Sequence, residues 1–585
     1  MKKILFSFCA LAMLLALAGC SNSKSTTIKQ EDMVVYGTIY TGDSLAPLAR
    51  AIVIQSGKFV YVGDEEGAKP YEKIITKVID HRGKGMVTPG FVDGHAHYLM
   101  ANGMTVMGAL MFEEKIKPNA LLKQVSDAYR EAKQEGKPAI YGFGWTYQYF
   151  EKEMPTLAQL DSVCPDLPLY LADSEGHKGL ANSVCMRNAD IIKDDGTLNI
   201  DSIRGGEIVI DKVTKKPSGL FKEQAGTYCR LHGIDFSKLM SADQAARAVS
   251  LTRDDLHSNG YVAYMDGWSN YYGNLCFYDA AQRINSIDSL NLCLGLAYEI
   301  ESSEKELEKE LNKAFSLEKY ATSHINPRYV KTFMDGTVET KTGLVCKAYN
   351  DGTFGKPNWT PKEFSAITDS VNKHGFTMHT HAMGDSAVHL VVDAFVKSPR
   401  KERGNTLVHV RNVKPDDYTR IAYNGIVVTE GILWHTASDT VKTVLQKILP
   451  VEYVNKSYPM KSFFDNKVIM SSHSDFPALS GSSENPFYIM EIAVTGLLPK
   501  GTSPAKPFWT EELIDRQQAL EALTINGAYQ MHNEEERGNI MVGKYADFVL
   551  VDKDVISTSC PANEIHTAKV ISTYFEGNQV YPKVK

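Results

Sequence analysis

Val87-Thr88-Pro89-Gly90-Phe91-Val92-Asp93-Gly94-His95-Ala96-His97 decides how this chain is read. An apolar, β-leaning run ends in two histidines at i and i+2, and on a strand such residues share one face. Two imidazoles leaving a strand end side by side make a pair of metal ligands, since neutral imidazole suits Zn, Fe and Ni. The plain alternative is a polar strand end with two ordinary histidines. The partners found downstream weigh against it.

Ahead of this stretch, residues 33–86 read as short strands and turns, with apolar runs at Met33–Ile39, Ala51–Gln55, Phe59–Val62 and Val78–Asp80. Behind it, strand and helix patterns alternate. Strands are expected at Ala139–Gly144, Leu167–Ala172, Gly260–Asp266, Tyr329–Met334, Phe376–His381, Thr406–His409, Ile426–Thr429 and Val468–Ser472. Helices are expected between them, among others at Pro118–Glu135, Ser241–Ser258, Glu301–Leu317, Pro361–Lys373 and Asp385–Val396. Such alternation predicts parallel β/α units and, at about eight of them, a TIM barrel whose active site lies at the strand C-termini. The tail returns to β character at Gly538–Asp552 and in a hairpin around Gly577-Asn578. It is expected to pair with residues 33–86 as one small β-sandwich built from both termini.

The expected strand ends carry ligand-type residues in succession. Lys331 lies inside the apolar run Tyr329–Met334. A buried lysine is costly unless paired or altered, and burial lowers its pKa. A neutral amine can add CO2 to become a carbamate able to bridge two metals; a structural ion pair is the alternative. Then come His379 and His381, His409, and Asp475, an acid placed to act as a general base. Each alone is more often structural than functional; the succession is what carries weight.

The chain of 585 residues exceeds a typical single domain, and 43% hydrophobic with 23% charged residues is a globular composition. A net charge of -7 without a basic block gives nucleic-acid binding no electrostatic support. Lys2 and Lys3, the apolar Ile4–Leu17 and then Leu17-Ala18-Gly19-Cys20 read as an export leader whose end looks like a bacterial lipobox, with Cys20 lipidated after cleavage. A plain signal peptide or a short membrane helix is the alternative; Ser21–Thr27 reads as a flexible tether. Beyond the leader, Cys164, Cys185, Cys229, Cys276, Cys293, Cys346 and Cys560 are scattered, without C-x-x-C spacing. That pattern opposes a disulfide framework or a zinc knuckle and leaves one or two disulfides open. No G-x-S-x-G elbow is present, which sets aside a serine hydrolase of that type.

Taken as a set, Thr88–His97, Glu175-Gly176-His177, Gly219–Glu223, Val330–Gly336, His381–Asp385, His409, Ser474–Pro477 and Gly543–Asp547 resemble the metal-dependent amidohydrolase superfamily, in the branch that includes N-substituted formamide deformylase. The resemblance implies an α/β fold: a distorted (β/α)8 barrel over residues 87–534, with sandwich parts at 33–86 and 535–585, after a leader at 1–20 and a tether at 21–32. It implies two divalent metal ions, most simply zinc. His95, His97 and Asp475 would hold the more buried one, His381 and His409 the second, and carboxylated Lys331 would bridge them. A hydroxide between the metals would attack the carbonyl, and Asp475 would move the proton to the leaving amine. His177 would hydrogen-bond substrate or steady an oxyanion.

Three positions blur the pattern. Glu223 is an alternative bridging carboxylate, His379 competes with His381 for the metal, and His473 beside Asp475 is atypical, either touching substrate or facing solvent. Trp145 and Tyr147, with their aromatic neighbours, are candidates for a substrate wall or for core. The expected activity is hydrolysis of a C–N bond, other than a peptide bond, in an amide-like small molecule. The protein would be anchored in the bacterial cell envelope through Cys20 alone and face the periplasm or exterior, with self-association left open. Competing expectations are a mononuclear deaminase on the same barrel, which Lys331 opposes, and an exported binding lipoprotein without catalysis.

Overall fold

The computed structural model describes residues 31–583, apart from 114, 148–149, 151–153, 175, 201, 289, 302–306, 399–403, 437–438, 478–483 and 500–506. The leader and Cys20 lie outside the described residues. At the centre are eight parallel strands: β1 (Phe91–Ala96), β2 (Tyr261–Asp266), β3 (Cys293–Glu299), β4 (Ile325–Phe333), β5 (Thr377–His381), β6 (Thr406–Val408), β7 (Val427–Glu430) and β8 (Met470–Ser472). Neighbours pair in chain order, and helices return the chain between them. Covered on both faces, these strands read as near-continuous apolar runs rather than alternating ones. This is the expected (β/α)8 barrel.

The ring closes between β8 and β1 just beyond the strand ends. There Asp475 N–H donates to His95 O at 3.0 Å and His97 N–H to Phe476 O at 2.8 Å. Asp93 of β1 fills the seam. Its Oδ1 accepts from His95 N–H (3.3 Å) and Ser474 N–H (3.1 Å), and its Oδ2 accepts from the Ser474 hydroxyl (2.5 Å). Gly94 has to be glycine here, because a Cβ would lie 2.5 Å from Thr429 Oγ1 and 2.9 Å from Ser472 O.

Both chain ends build a second sheet, ordered Asn578–Tyr581, Val570–Phe575, Phe548–Val551, Met86–Pro89, Met33–Tyr40, Leu48–Gln55, Lys58–Gly63, with Lys77–Asp80 parallel beside Met33–Tyr40. Alternation along the first strand serves two cores. Met33 and Val35 pack with Ile52, Phe59 and Phe548, while Val34 and Tyr36 pack on the other face with Ala68 and Ile75. Met86–Pro89 belongs to this sheet and, past Gly90, the same chain direction continues as β1.

A third sheet of six strands is inserted between β1 and β2, from Leu110–Met111 to Pro217–Glu223. It holds Ile140–Trp145 and Leu169–Asp173, two strands the sequence pattern counts into the barrel series. Their place in the barrel is taken by β3, an apolar run the pattern passes over, and all seven of its residues are buried. Apolar β-rich runs mark strands but do not say which neighbours they pair with, so two expected strands leave the barrel series and one unexpected strand joins it.

Arg537 fastens the terminal sheet to the barrel. Its guanidinium is paired with Asp547 and Glu576, lies over the rings of Tyr545 and Phe575, and is buried. Glu576 also meets His324, just ahead of β4, at 3.1 Å. Removing one partner of a buried pair strands the other's charge. Arg537→Ala is therefore expected to cost about 3 kcal/mol or more, read as a lower urea midpoint for the terminal sheet.

Candidate metal centre

The ligand-type residues of β1, β4, β5, β6 and β8 meet at the C-terminal mouth of the barrel. His95 and His97 direct their Nε2 atoms at Asp475 Oδ1, 3.6 and 3.3 Å away. One ligand atom from each of the three lies within 4.8 Å of the other two. Beside them, the rings of His381 and His409 are 4.8 Å apart, and His409 is 5.1 Å from His95. Imidazoles bound to one ion at about 2.1 Å have ring centres roughly 5 Å apart, so these spacings suit adjoining sites.

Lys331 lies in β4, 1% exposed, in register with Glu299 of β3 and His379 of β5. Burial brings its amine down to about 7, with Asp475 and Glu299 pulling the other way. A large share of the amine is then neutral at neutral pH, the form that can add CO2. Burial, and after it the Lys331 charge, push His95, His379 and His381 well below the usual imidazole value; for His409 the causes are burial and then His381. Neutral imidazole is the form that ligates metal.

The donor set fits a divalent cation on a further ground. His95 Nε2, which faces Asp475, and His409 Nδ1 are shielded from solvent yet have no hydrogen-bond partner among the described residues. Buried polar atoms are rarely left that way in a folded protein, and a bare ion needs less room than a water.

Supporting contacts hold these groups. His379, fully buried, lies 2.7 Å from His95 through its Nε2. With His95 Nδ1–H donating to it, the His95 Nε2 lone pair faces Asp475. Gly267 leaves the space for that ring, since a Cβ there would lie 2.0 Å from His95 Cε1. Asp335, 0% exposed, accepts from Met383 N–H (3.0 Å), Gly384 N–H (3.0 Å) and Leu344 N–H (2.8 Å), which fixes the turn after His381. Glu223, His409 and Asp475 all adopt positive φ (51°, 70° and 48°) without being glycine. Strain of this kind tends to gather at functional sites.

From the inserted sheet come His177 and Glu223, whose Nδ1 and Oε2 are 2.7 Å apart. Glu223 Oε1 accepts from the hydroxyls of Thr342 (2.8 Å) and Thr340 (3.2 Å). Both carboxylate oxygens thus already have hydrogen-bond partners. Burial alone would raise this carboxyl, but His177 and Thr342 hold it below its usual range. The His177 ring is 6.2 Å from that of His381.

The remaining sequence candidates are placed as follows. His473 is 1% exposed, packed between His409 (4.8 Å) and Trp434 (5.8 Å), so it does not face solvent. Trp145 is wholly buried in the core of the inserted sheet, stacked on Phe150, with its indole N–H donating to Leu171 O. Tyr147 is half-buried under the Lys178 ammonium, 4.9 Å from the ring centre. Sequence reasoning gave no role to Asp93 or Asp335, though both lie inside the quoted motifs. It also missed the buried Arg411, whose guanidinium is held by Glu339 and the Tyr458 hydroxyl two residues past His409.

Comparisons with known proteins bear on the family and the fold. The sequence model of the amidohydrolase family matches residues 77–581. Protein LONG AFTER FAR-RED 3 of Arabidopsis thaliana is 25% identical over 562 residues, covering 94% of this chain and 91% of that protein. N-substituted formamide deformylase of Arthrobacter pascens is 24% identical over 565 residues, covering 93% of this chain and 97% of that protein. Among solved structures, an uncharacterized metal-dependent hydrolase from Pyrococcus horikoshii OT3 shares the fold with a TM-score of 0.69 at 21% identity, covering 90% of this chain and 98% of that one.

Asp335→Ala would orphan the buried N–H groups it now serves. It is expected to lower stability by about 3 kcal/mol or more, measured by urea denaturation.

Proposed function

Because the chain belongs to the amidohydrolase family, and is on that ground a metal-dependent hydrolase or deaminase-like enzyme, we propose that it hydrolyses the C–N bond of an amide-like small molecule other than a peptide, at a site for two divalent cations, most simply zinc. The observation that carries the reading is the meeting of His95, His97 and Asp475 with His381, His409 and a buried, substantially neutral Lys331 at one barrel mouth. In this reading His95, His97 and Asp475 would hold one cation and His381 and His409 the other, and Lys331, once carboxylated by CO2 with loss of a proton, would supply a further anionic ligand. The cations supply Lewis acidity toward the substrate carbonyl and the attacking water.

The chain's own groups do the rest. Asp475, next to both histidine Nε2 atoms, takes the proton from the attacking water and returns it to the departing nitrogen. His177 reaches in from the inserted sheet toward the carbonyl oxygen. Glu223, with both oxygens engaged, orients His177 instead of bridging cations. A chain cleaved before Cys20 and lipidated there would do this work in the bacterial envelope.

The test uses the soluble form starting at Ser21. Its metal content is measured for wild type, Lys331→Ala and Glu223→Gln, and it is screened against N-formyl and N-acyl amines, ureas and esters. About two ions per chain are expected in wild type, with about one or fewer in Lys331→Ala. One ion in both would overturn the bridged pair and move the reading to a mononuclear deaminase. Glu223→Gln is expected to keep the wild-type metal content while kcat falls about 10–100-fold. Asp475→Asn is expected to lower kcat by at least about 100-fold on any substrate the screen finds.

A further inference from the structure

Two of the thiols stand apart from the rest. Cys185, in the helix Ser183–Asn188, and Cys229, in the helix Gln224–Gly233, have their sulfurs 3.9 Å apart although the residues are 44 positions apart in sequence. Both side chains are fully buried. Cys185 Sγ also lies 3.8 Å from the carbonyl oxygen of Cys229, and among the described residues no other pair of thiols is in contact at this distance; Cys164 and Cys560 meet the backbone carbonyls of Leu167 and Pro561.

The helices are pressed together by design of the sequence. Gly233, at the end of the second helix, sits against the first so closely that a Cβ would lie 2.4 Å from Cys185 Sγ and 2.7 Å from its carbonyl oxygen. Each helix also starts next to a group of the candidate site. The second begins directly after Glu223, and the first follows the strand Lys178–Ala181 that leads away from His177. A bond between the two sulfurs would brace the His177–Glu223 pair from behind.

We propose that Cys185 and Cys229 become a disulfide when the chain folds outside the cytoplasm. The proposal rests on the export reading of the leader, because such bonds persist in oxidising compartments and not in the cytosol. Closing the gap to a bond length of about 2.05 Å asks the side chains to move together by about 2 Å. The step is a thiol–disulfide exchange with a disulfide-carrying oxidant of the compartment. One thiolate attacks the oxidant's disulfide and forms a mixed disulfide. The second then displaces the oxidant's remaining sulfur. Two protein S–H bonds and the oxidant's S–S bond break, one protein S–S bond forms, and the oxidant leaves as a dithiol carrying the two electrons and the two protons. Burial raises the Cys229 thiol well above its usual value and suppresses the thiolate, so the bond has to form before the helices close over it.

The test expresses the full chain with its leader in a bacterium that exports it, alkylates free thiols under denaturing conditions at harvest, and maps peptides without reduction. The expected result is a linked Cys185–Cys229 peptide, with Cys164, Cys276, Cys293, Cys346 and Cys560 alkylated. Cys229→Ser should abolish the linked peptide and leave Cys185 alkylated. Alkylation of both Cys185 and Cys229 in the exported wild type overturns the proposal. Should the chain stay in the cytosol, it is unfolded and refolded in a buffer of reduced and oxidised glutathione. A dominant Cys185–Cys229 link there supports the pair, while free thiols or links spread over other cysteines overturn it.

Discussion

The carboxylate of Asp93 is the joint on which the candidate site depends. It accepts hydrogen bonds from His95 and from both the backbone and the hydroxyl of Ser474, a residue 381 positions away. Those bonds carry the first barrel strand to the last and set His95 and Asp475 opposite each other. Burial raises the Asp93 carboxyl to about 7 even with these donors in place, which shows how dry the seam is. The other end of the same chain segment is held by the terminal sheet, where Met86–Pro89 lies between strands from the front and the back of the sequence. The metal-facing strand is therefore fixed at both ends by different parts of the molecule.

The mouth of the barrel gathers groups that a stable core would avoid. Histidines, a lysine and carboxyl groups are packed together with His97 and Asp475 partly exposed, several of the nitrogens lack partners among the described residues, and three non-glycine residues carry positive φ. Burial disfavours the charged form of His95, His379, His381 and His409 and brings the lysine down to about 7, so mutual repulsion is held down at the expense of unmet hydrogen bonds. A cation satisfies both needs, since it offers the missing partner and requires the uncharged ligand. Folding energy from the rest of the barrel and from the two flanking sheets holds the arrangement in place.

Much of this was legible in the sequence, because the relevant signals are local. His95 and His97 share a strand face by period alone, and Lys331 stands out as a charge inside an apolar run. The terminal sheet was legible for the same reason: short alternating runs bounded by glycine turns at both ends of the chain. Less local features were not. Ile140–Trp145 and Leu169–Asp173 look like barrel strands because a run of apolar residues does not encode its partner, and in Cys293–Glu299 the one charged residue, Glu299, comes last and is no histidine to draw notice. The pairing of His177 with Glu223 links residues 46 positions apart, and the three donors on Asp335 are backbone groups that no side-chain pattern announces. Trp145 reads as a ligand wall or as core until its neighbours are known, and its neighbours are core.

The placement of Met33–Tyr40 bears on mechanics as much as on folding. This first described strand is an interior member of its sheet, with Leu48–Gln55 on one side and Lys77–Asp80 and Met86–Pro89 on the other. A pull on the front of the chain acts along the strand's axis and loads the hydrogen bonds of both flanks together, in shear. An edge strand pulled outward would instead give them up one at a time. Tension applied there would thus be spread through a sheet that the back of the chain helps to build, before it reached the barrel mouth at the far end of β1.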